Sequence, residues 1–370
     1  MNFDFNEEQY MFRDTVRDSL AEQFPIDLLR DGGDPVALEG ELWSQLAELG
    51  LFGLMVPEDQ GGLGLGMVDF ALIAEEFGAA LVPLTVTDTI AASLILAKFA
   101  GAAQADNLEK IASGDLRVAF AVYEKNGGYD PADFAAAIGA DGALSGRKLL
   151  VAGADRADML VVVARDASGA LALYCVDAAR IGVATARETA LDITGDYHAV
   201  SFDKVLVSDA DRIGGTDAAE FALDLLAAIA ALGMVGIGGR MLDVTVAYVK
   251  ERSQFGQPIG AFQAIKHRCA NMAVDVNTAR SGGYFAAWAL ASADKAEREW
   301  AVSMGKAKAN RMAVHVMREA VQLHGGMGYT WEMALHFPYR RGRHLEVLYG
   351  STEYHNERVL QATMAQLAAG

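Results

Sequence analysis

The chain has 370 residues, with 49 acidic and 31 basic side chains and a formal net charge of −18. This length predicts two or three domains, and an apolar share of 52% argues against disorder. The acidity argues against binding to nucleic acid or to an anionic membrane surface, because both partners need clustered lysine and arginine. Two cysteines are too few for a disulfide-stapled secreted scaffold, and the acidic start of the chain lacks the apolar stretch of a signal peptide. We therefore expect a cytoplasmic globular protein.

The first part of the chain, residues 1–115, is predicted to be a helical domain. Asn6 and Gln9 have the spacing of a capping box, and apolar residues then recur every four positions. Further helices are expected at 41–49, 68–77 and 87–112.

Between residues 116 and 215 the pattern changes to short apolar runs that are typical of strands. No helical pattern lies between these runs, so they predict a middle domain built on an antiparallel sheet, as a small barrel or sandwich. The predicted strands are 117–122, 144–151, 159–164, 171–176 and 198–206.

The rest of the chain, residues 216–370, is predicted to be helical again. The segment 218–250 is long enough for one continuous helix of roughly 50 Å, and further helices are expected at 263–281, 282–293 and 297–323. Its uncharged part is too short to cross a bilayer comfortably. Three glycines inside it indicate close helix packing and not a dinucleotide loop, because no strand precedes them: Gly236, Gly238 and Gly239. The fold class is therefore α+β, with a β domain between two helical domains.

Most common catalytic motifs are missing from the sequence. The seven histidines are scattered, no His-x-x-x-His or Cys-x-x-Cys pair occurs, and we predict no metal site. No nucleophile-elbow or phosphate-loop motif occurs either.

Three segments carry a more specific pattern: residues 48–64, 251–268 and 322–332. Their order, spacing and placement resemble the acyl-CoA dehydrogenase family over essentially the whole chain. The closest resemblance is to the small-subunit type of heteromeric enzymes, which often degrade steroids or dicarboxylates. The resemblance implies an FAD-dependent oxidoreductase of β-oxidation, acting in fatty acid or steroid side-chain catabolism. It also implies an acyl-CoA substrate, electron-transfer flavoprotein as electron acceptor, an oligomer, and a C-terminal four-helix bundle at its centre.

In this family FAD lies between the β domain and the bundle, and its ADP end reaches a neighbouring subunit. Arg252 offers a planar guanidinium for the pyrophosphate, and Phe255 offers a flat ring. The bare backbone at Gly325 and Gly326 lets a cofactor approach closely. The resemblance further assigns four cofactor contacts with polar side chains: Gln263, Gln322, Tyr123 and Thr352.

The residues that the family uses for its catalytic base are missing. The usual base is a glutamate that follows a tyrosine near the C-terminus, and the matching position is Gly350. The other known base position, on the long helix, is occupied by Leu226. Neither residue can take a proton. Around the flavin ring the family's threonine and serine are replaced by Tyr123 and Tyr129.

The contacts for a neighbour's FAD are present, whereas the residues for the chain's own flavin ring and the base are missing or replaced. One hypothesis explains both: this chain completes the FAD site of a second acyl-CoA dehydrogenase-like subunit, which carries the base. Two alternatives stay open. The chain is a self-sufficient dehydrogenase with its base displaced to Glu353, or it is a non-catalytic subunit that binds acyl-CoA or a partner. A basic cluster near the C-terminus serves either the CoA phosphates or an interface: Arg340, Arg341 and Arg343.

Overall fold

The computed structural model describes residues 5–32, 34–100, 104–125 and 128–369, so part of the acidic start of the chain lies outside the described residues. The capping box predicted at Asn6 and Gln9 is present, with both hydrogen bonds at 2.8 Å. The helical stretch expected over 87–112 contains two helices, α5 and α6. The N-terminal helices are α1 (Glu7–Gln23), α2 (Ile26–Arg30), α3 (Pro35–Glu48), α4 (Met67–Ala80), α5 (Leu84–Phe99) and α6 (Ala105–Ser113).

The middle of the chain forms one eight-stranded sheet in the order β6-β7-β3-β2-β4-β5-β8, with β1 also paired to β4. Most neighbouring strands are antiparallel as predicted, but β1 and β2 run parallel to β4, so the sheet is mixed. The strands are β1 (Val118–Ala121), β2 (Ala137–Ile138), β3 (Ala143–Ala152), β4 (Met159–Arg165), β5 (Leu171–Asp177), β6 (Val183–Glu188), β7 (Tyr197–Leu206) and β8 (Arg212–Gly214).

The C-terminal part consists of long helices that pack along one another. Helices α7, α8 and α9 pack together and α11 packs on α9, which confirms the expected four-helix arrangement. The segments predicted separately at 263–281 and 282–293 form one helix, α8, in which Gly282 lies against Gly305 of α9. The elements are α7 (Thr216–Glu251), the hairpin β9 (Ser253–Gln254) and β10 (Gln257–Pro258), α8 (Gln263–Ser292), α9 (Lys295–His324), α10 (His336–Val347) and α11 (Thr352–Ala369).

Helix α7 lies at the centre of the fold. A Cβ atom on Gly236 would lie 1.9 Å from the carbonyl oxygen of Glu75, and one on Gly238 would lie 2.5 Å from the sulfur of Met312. Both glycines therefore permit close helix packing, as the sequence predicts. By length and composition α7 is apolar enough to cross a membrane, but 89% of its apolar stretch is buried inside the fold, as in a core helix.

Candidate active site and cofactor-binding face

A cavity of about 30 Å³ lies between α4, α5, α7 and the segment that follows α10. This volume has room for one or two water molecules and not for an acyl chain. The wall is mostly apolar, with one buried carboxyl group. The lining residues that matter for the argument are Phe77, Val82, Asp88, Leu226, Leu345 and Tyr349.

Asp88 is the carboxyl group of this cavity. It is buried, and its Oδ2 accepts one hydrogen bond, from the backbone N–H of Phe120 at 3.3 Å. None of the described lysines or arginines forms an ion pair with it. Burial raises the pKa of Asp88 to about 7. We did not predict this residue from the sequence, although a lone acid in the apolar helix α5 is a signal that could have found it.

The two base positions differ in how they face the cavity. Leu226 lines it, whereas Gly350 does not. Gly350 has φ +117°, and a Cβ atom there would lie 2.3 Å from Nε2 of His355. The side chain that reaches the cavity from this loop is Tyr349, one residue before the position assigned from the sequence. Burial raises the pKa of Tyr349 well above its ordinary value, so its phenol stays protonated and cannot act as a base.

The loop that carries Tyr349 is fixed by a buried lysine. Lys306 donates from Nζ to Oδ1 of Asn310 at 2.8 Å and to the carbonyl oxygens of Leu345 at 3.0 Å and Gly350 at 3.2 Å. Nε2 of His355 bonds to the carbonyl oxygen of Tyr349 at 2.8 Å. Desolvation lowers the pKa of Lys306 to about 7, because no carboxylate pairs with it directly. These contacts hold the backbone of this loop in one conformation.

Four tyrosines, which we call the tyrosine cluster, fill the space between the sheet and the helix bundle: Tyr123, Tyr129, Tyr349 and Tyr354. The hydroxyl of Tyr123 accepts a hydrogen bond from the backbone N–H of Tyr349, and the two rings are 5.7 Å apart. The rings of Tyr123 and Tyr129 are 6.4 Å apart, and those of Tyr129 and Tyr354 are 5.6 Å apart. The cavity left among them is about 20 Å³.

This space is where the resemblance places the flavin ring of the chain itself, and the residues there do not fit one. A remaining volume of about 20 Å³ has room for about one water molecule and not for a tricyclic ring system. The sequence assigned Tyr123 to cofactor binding. In the structure its hydroxyl accepts a hydrogen bond from Tyr349 and its ring fills the space, so the geometry does not support this prediction.

The residues assigned to a neighbour's FAD collect at one end of the helix bundle. The rings of Tyr248 and His324 stack at 4.2 Å and join the ends of α7 and α9. The hairpin β9–β10 and the start of α8 lie at this same end, because the hairpin directly follows α7. The five residues assigned to a neighbour's FAD are exposed, and so is the further cofactor candidate Gln322. The five are Arg252, Phe255, Gln263, Gly325 and Gly326.

This face is open to a ligand or to another chain. Arg252 makes no hydrogen bond through its side chain and no ion pair with the described residues, and Phe255 is 92% exposed. Gly325 has φ +59°, which favours glycine, and a Cβ atom on Gly325 or Gly326 would meet nothing within 4 Å. A guanidinium, an aromatic ring and accessible backbone suit a nucleotide with a pyrophosphate.

The remaining candidates from the C-terminal stretch lie elsewhere. Glu353 is exposed in the first turn of α11, where hydrogen bonds from its own backbone N–H and from Ser351 lower its pKa. It does not line the cavity, so the structure does not support it as a displaced base. Thr352 is half-buried at the start of α11.

The predicted basic cluster does not form one surface. Arg341 is buried in an ion pair with Asp192 and donates to the carbonyl oxygen of Val82 at 2.9 Å. Arg343 pairs with Glu346. Only Arg340 of the three lacks a carboxylate partner among the described residues.

One group in the described part of the chain has the spacing of a metal site: Asp155, Asp196 and His198. Arg156 lies 2.8 Å from Asp196, and Arg187 lies 3.0 Å from the same carboxylate. Two guanidinium groups already neutralise these carboxylates, which disfavours a bound cation.

Comparison with known proteins identifies the family. Residues 6–115 and 214–364 match the family models described as "Acyl-CoA dehydrogenase, N-terminal domain" and "Acyl-CoA dehydrogenase, C-terminal domain". The chain is 31% identical over 376 residues to the probable acyl-CoA dehydrogenase YngJ of Bacillus subtilis, covering 95% of this chain and 97% of the relative.

Two further matches concern an assembly and a cofactor. The chain is 27% identical over 366 residues to the caffeyl-CoA reductase-Etf complex subunit CarC of Acetobacterium woodii, covering 94% of this chain and 96% of the relative. An acyl-CoA dehydrogenase from Bacillus anthracis, solved as a complex with FAD, matches with a TM-score of 0.87 and 25% identity. The match covers 99% of this chain and 70% of that one.

Proposed function

The chain belongs to the acyl-CoA dehydrogenase family of FAD-dependent oxidoreductases, and on this premise we propose that it is one subunit of a heteromeric enzyme. In this proposal the chain completes the FAD site of a different subunit, and that partner carries the catalytic base. One asymmetry carries the proposal. The tyrosine cluster fills the chain's own flavin space, whereas the residues for a neighbour's FAD are exposed.

The missing base supports the same division of labour. When bound, FAD would supply the acceptor for the hydride from the β-carbon of an acyl thioester, and the reaction also needs a carboxylate to take the α-proton. Asp88 lies in a cavity that is too small for an acyl chain, and Glu353 is exposed. Asp224 forms ion pairs with Arg298 at 3.0 Å and with Arg358 at 2.9 Å, so both of its carboxylate oxygens are already engaged. The partner subunit therefore has to supply the base.

The contribution of this chain is binding and orientation. Arg252 supplies positive charge for a pyrophosphate, and this local charge is needed because the chain carries a net charge of −18 and FAD is itself an anion. Phe255 supplies an apolar surface, and the backbone at Gly325 allows close approach.

We further propose an acyl-CoA substrate from fatty acid or steroid side-chain catabolism and electron-transfer flavoprotein as the electron acceptor. The proposed electron acceptor is supported by the Acetobacterium woodii relative, which is a subunit of a complex with Etf.

The test is reconstitution. The chain is purified alone and together with a second acyl-CoA dehydrogenase that has a glutamate at a base position. We expect acyl-CoA to bleach the flavin and turnover to appear in the co-purified assembly only. Turnover by this chain alone would contradict the proposal. A loaded assembly that no acyl-CoA bleaches would favour the alternative of a non-catalytic subunit.

A further inference from the structure

Arg240 lies in the C-terminal half of α7, outside the candidate active site. Its side chain lines two separate cavities, one of about 270 Å³ and one of about 190 Å³. Nη1 donates one long hydrogen bond, to the carbonyl oxygen of Ala79 at 3.4 Å. No described carboxylate lies within 4.0 Å of this guanidinium.

Two other partly buried arginines in this fold have close carboxylate partners. Arg280 pairs with Glu75 at 2.7 Å, and Arg298 pairs with Asp224 at 3.0 Å. The pKa of Arg280 is raised above its ordinary value, since hydrogen bonding and attraction to Glu75 outweigh the effect of its burial. By contrast, desolvation lowers the pKa of Arg240. The charge of Asp27 opposes this shift, but it does so without a direct contact. A partly buried guanidinium with no carboxylate in contact can be stabilised by a bound anion.

The larger cavity has an apolar wall and few free charges. Arg30 and Asp27 face it and pair with each other at 3.0 Å, and Arg30 also pairs with Asp31 at 3.1 Å. Glu332 is exposed at its edge. The apolar part of the wall is Ile26, Met241, Val244, Leu335 and Pro338.

The smaller cavity does not neutralise Arg240 either. Its other charged residues are Arg17, which pairs with Asp14 at 3.0 Å, and Glu76. Burial and the charge of Glu75 raise the pKa of Glu76 to about 7, so this carboxyl is partly protonated near neutral pH. Among the described residues, Arg240 thus has no carboxylate in direct contact in either cavity.

We propose that Arg240 forms a binding site for a small carboxylate with an aliphatic body. The carboxylate oxygens accept hydrogen bonds from the guanidinium, which matches their geometry. The aliphatic body lies against Ile26, Val244 and Leu335. A monocarboxylate fits this site better than a phosphate dianion, because Glu332 at the edge and the apolar wall both disfavour a second negative charge. Arg240 follows Leu226 by about 21 Å along α7, so this site is distinct from the cavity at Asp88 and goes beyond the proposed function.

The test uses pentanoate as the probe, with pentanamide as its neutral counterpart, on the full chain. Isothermal titration calorimetry should detect binding of pentanoate and not of pentanamide. Arg240→Gln should weaken pentanoate binding by roughly tenfold or more. Arg311→Gln, which removes an exposed arginine from α9, should leave it unchanged.

Three results would overturn the proposal: no binding of pentanoate, equal binding of pentanamide, or equal affinity in Arg240→Gln. If that variant does not fold, Arg240→Lys replaces it. Lysine keeps the charge but lacks the two parallel donors, so it should bind pentanoate more weakly than the wild type. An unchanged affinity in Arg240→Lys would then count against the site.

Discussion

The hydroxyl of Tyr123 accepts a hydrogen bond from the backbone N–H of Tyr349, which joins the sheet to the loop after α10. The two residues are 226 positions apart in sequence. Their contact closes the space in which the family resemblance places the chain's own flavin ring. By contrast, Arg252 at the end of the bundle is exposed, so the surface around it is open to a ligand.

Opening the tyrosine cluster should create room for a ring system. In the double variant Tyr123→Ala, Tyr349→Ala we expect the chain alone to retain more FAD than the wild type, because two buried aromatic rings no longer fill the space. Each truncation should also lower the free energy of unfolding by about 3–5 kcal/mol. Ultrafiltration and flavin absorbance measure the retained FAD. Tyr329→Ala, at a residue that is 83% exposed, is the control. Equal FAD retention in wild type and double variant would show that the cluster is not the obstacle.

A carboxylate cannot be restored at Gly350 without cost. A Cβ atom there would lie 2.3 Å from Nε2 of His355, and φ is +117°. We expect Gly350→Ala to lower the free energy of unfolding by about 2–4 kcal/mol, measured by urea denaturation. Gly50→Ala is the control that has the backbone strain without the steric clash. Gly50 has φ +72°, but a Cβ atom there would meet nothing within 4 Å. If the two variants lose equal stability, the contact with His355 is not important.

Arg252 should matter to the assembly and not to the fold of this chain. Because it has no partner among the described residues, Arg252→Gln should change the free energy of unfolding of the isolated chain by less than about 0.5 kcal/mol. In the co-purified assembly the same change should weaken FAD binding by roughly tenfold or more. Flavin fluorescence during dilution measures the release. Arg311→Gln is the matched control, and an unchanged FAD affinity in Arg252→Gln would contradict the assigned role.

Asp88 predicts a pH dependence of stability. Its pKa is raised from 3.8 to about 7 in the folded chain, so the folded state holds the proton more tightly than the unfolded state. Its contribution is therefore fully present below about pH 4 and is lost as the pH rises to about 7. Asp88→Asn lacks this loss, so its stability relative to wild type should rise by a few kcal/mol between pH 4 and pH 8.

Urea denaturation at each pH measures this difference for Asp88→Asn. Asp106→Asn, which changes an exposed residue on α6, should run parallel to the wild type. If the difference between Asp88→Asn and wild type is independent of pH, Asp88 is already ionised in the folded chain.

Local signals in the sequence were enough for most elements. The capping box at Asn6 and Gln9 and the apolar strand runs predict their elements because the causes lie within a few residues. Strand β6 was missed because its residues, Val183–Glu188, are largely exposed and lack an apolar run. A boundary was wrongly predicted before Gly282, because the role of this glycine depends on Gly305, in another helix.

The site was predicted less completely than the fold, because its contacts join residues that are far apart in the sequence. Motif spacing placed Arg252 and Gly325 at a cofactor-binding face, and the structure brings them to one end of the bundle. The sequence could not show that Tyr123 and Tyr349 contact each other, since that contact depends on how two domains pack. It also could not show that Asp88 faces the same cavity as Leu226.

The most direct test of the central claim is the ratio of FAD to protein chains. We expect the isolated chain to purify with almost no FAD, and the assembly with its partner to hold FAD only in sites that the partner's ring-binding residues complete. That gives one FAD for each pair of unlike chains. One tightly bound FAD on each copy of the isolated chain would contradict the account.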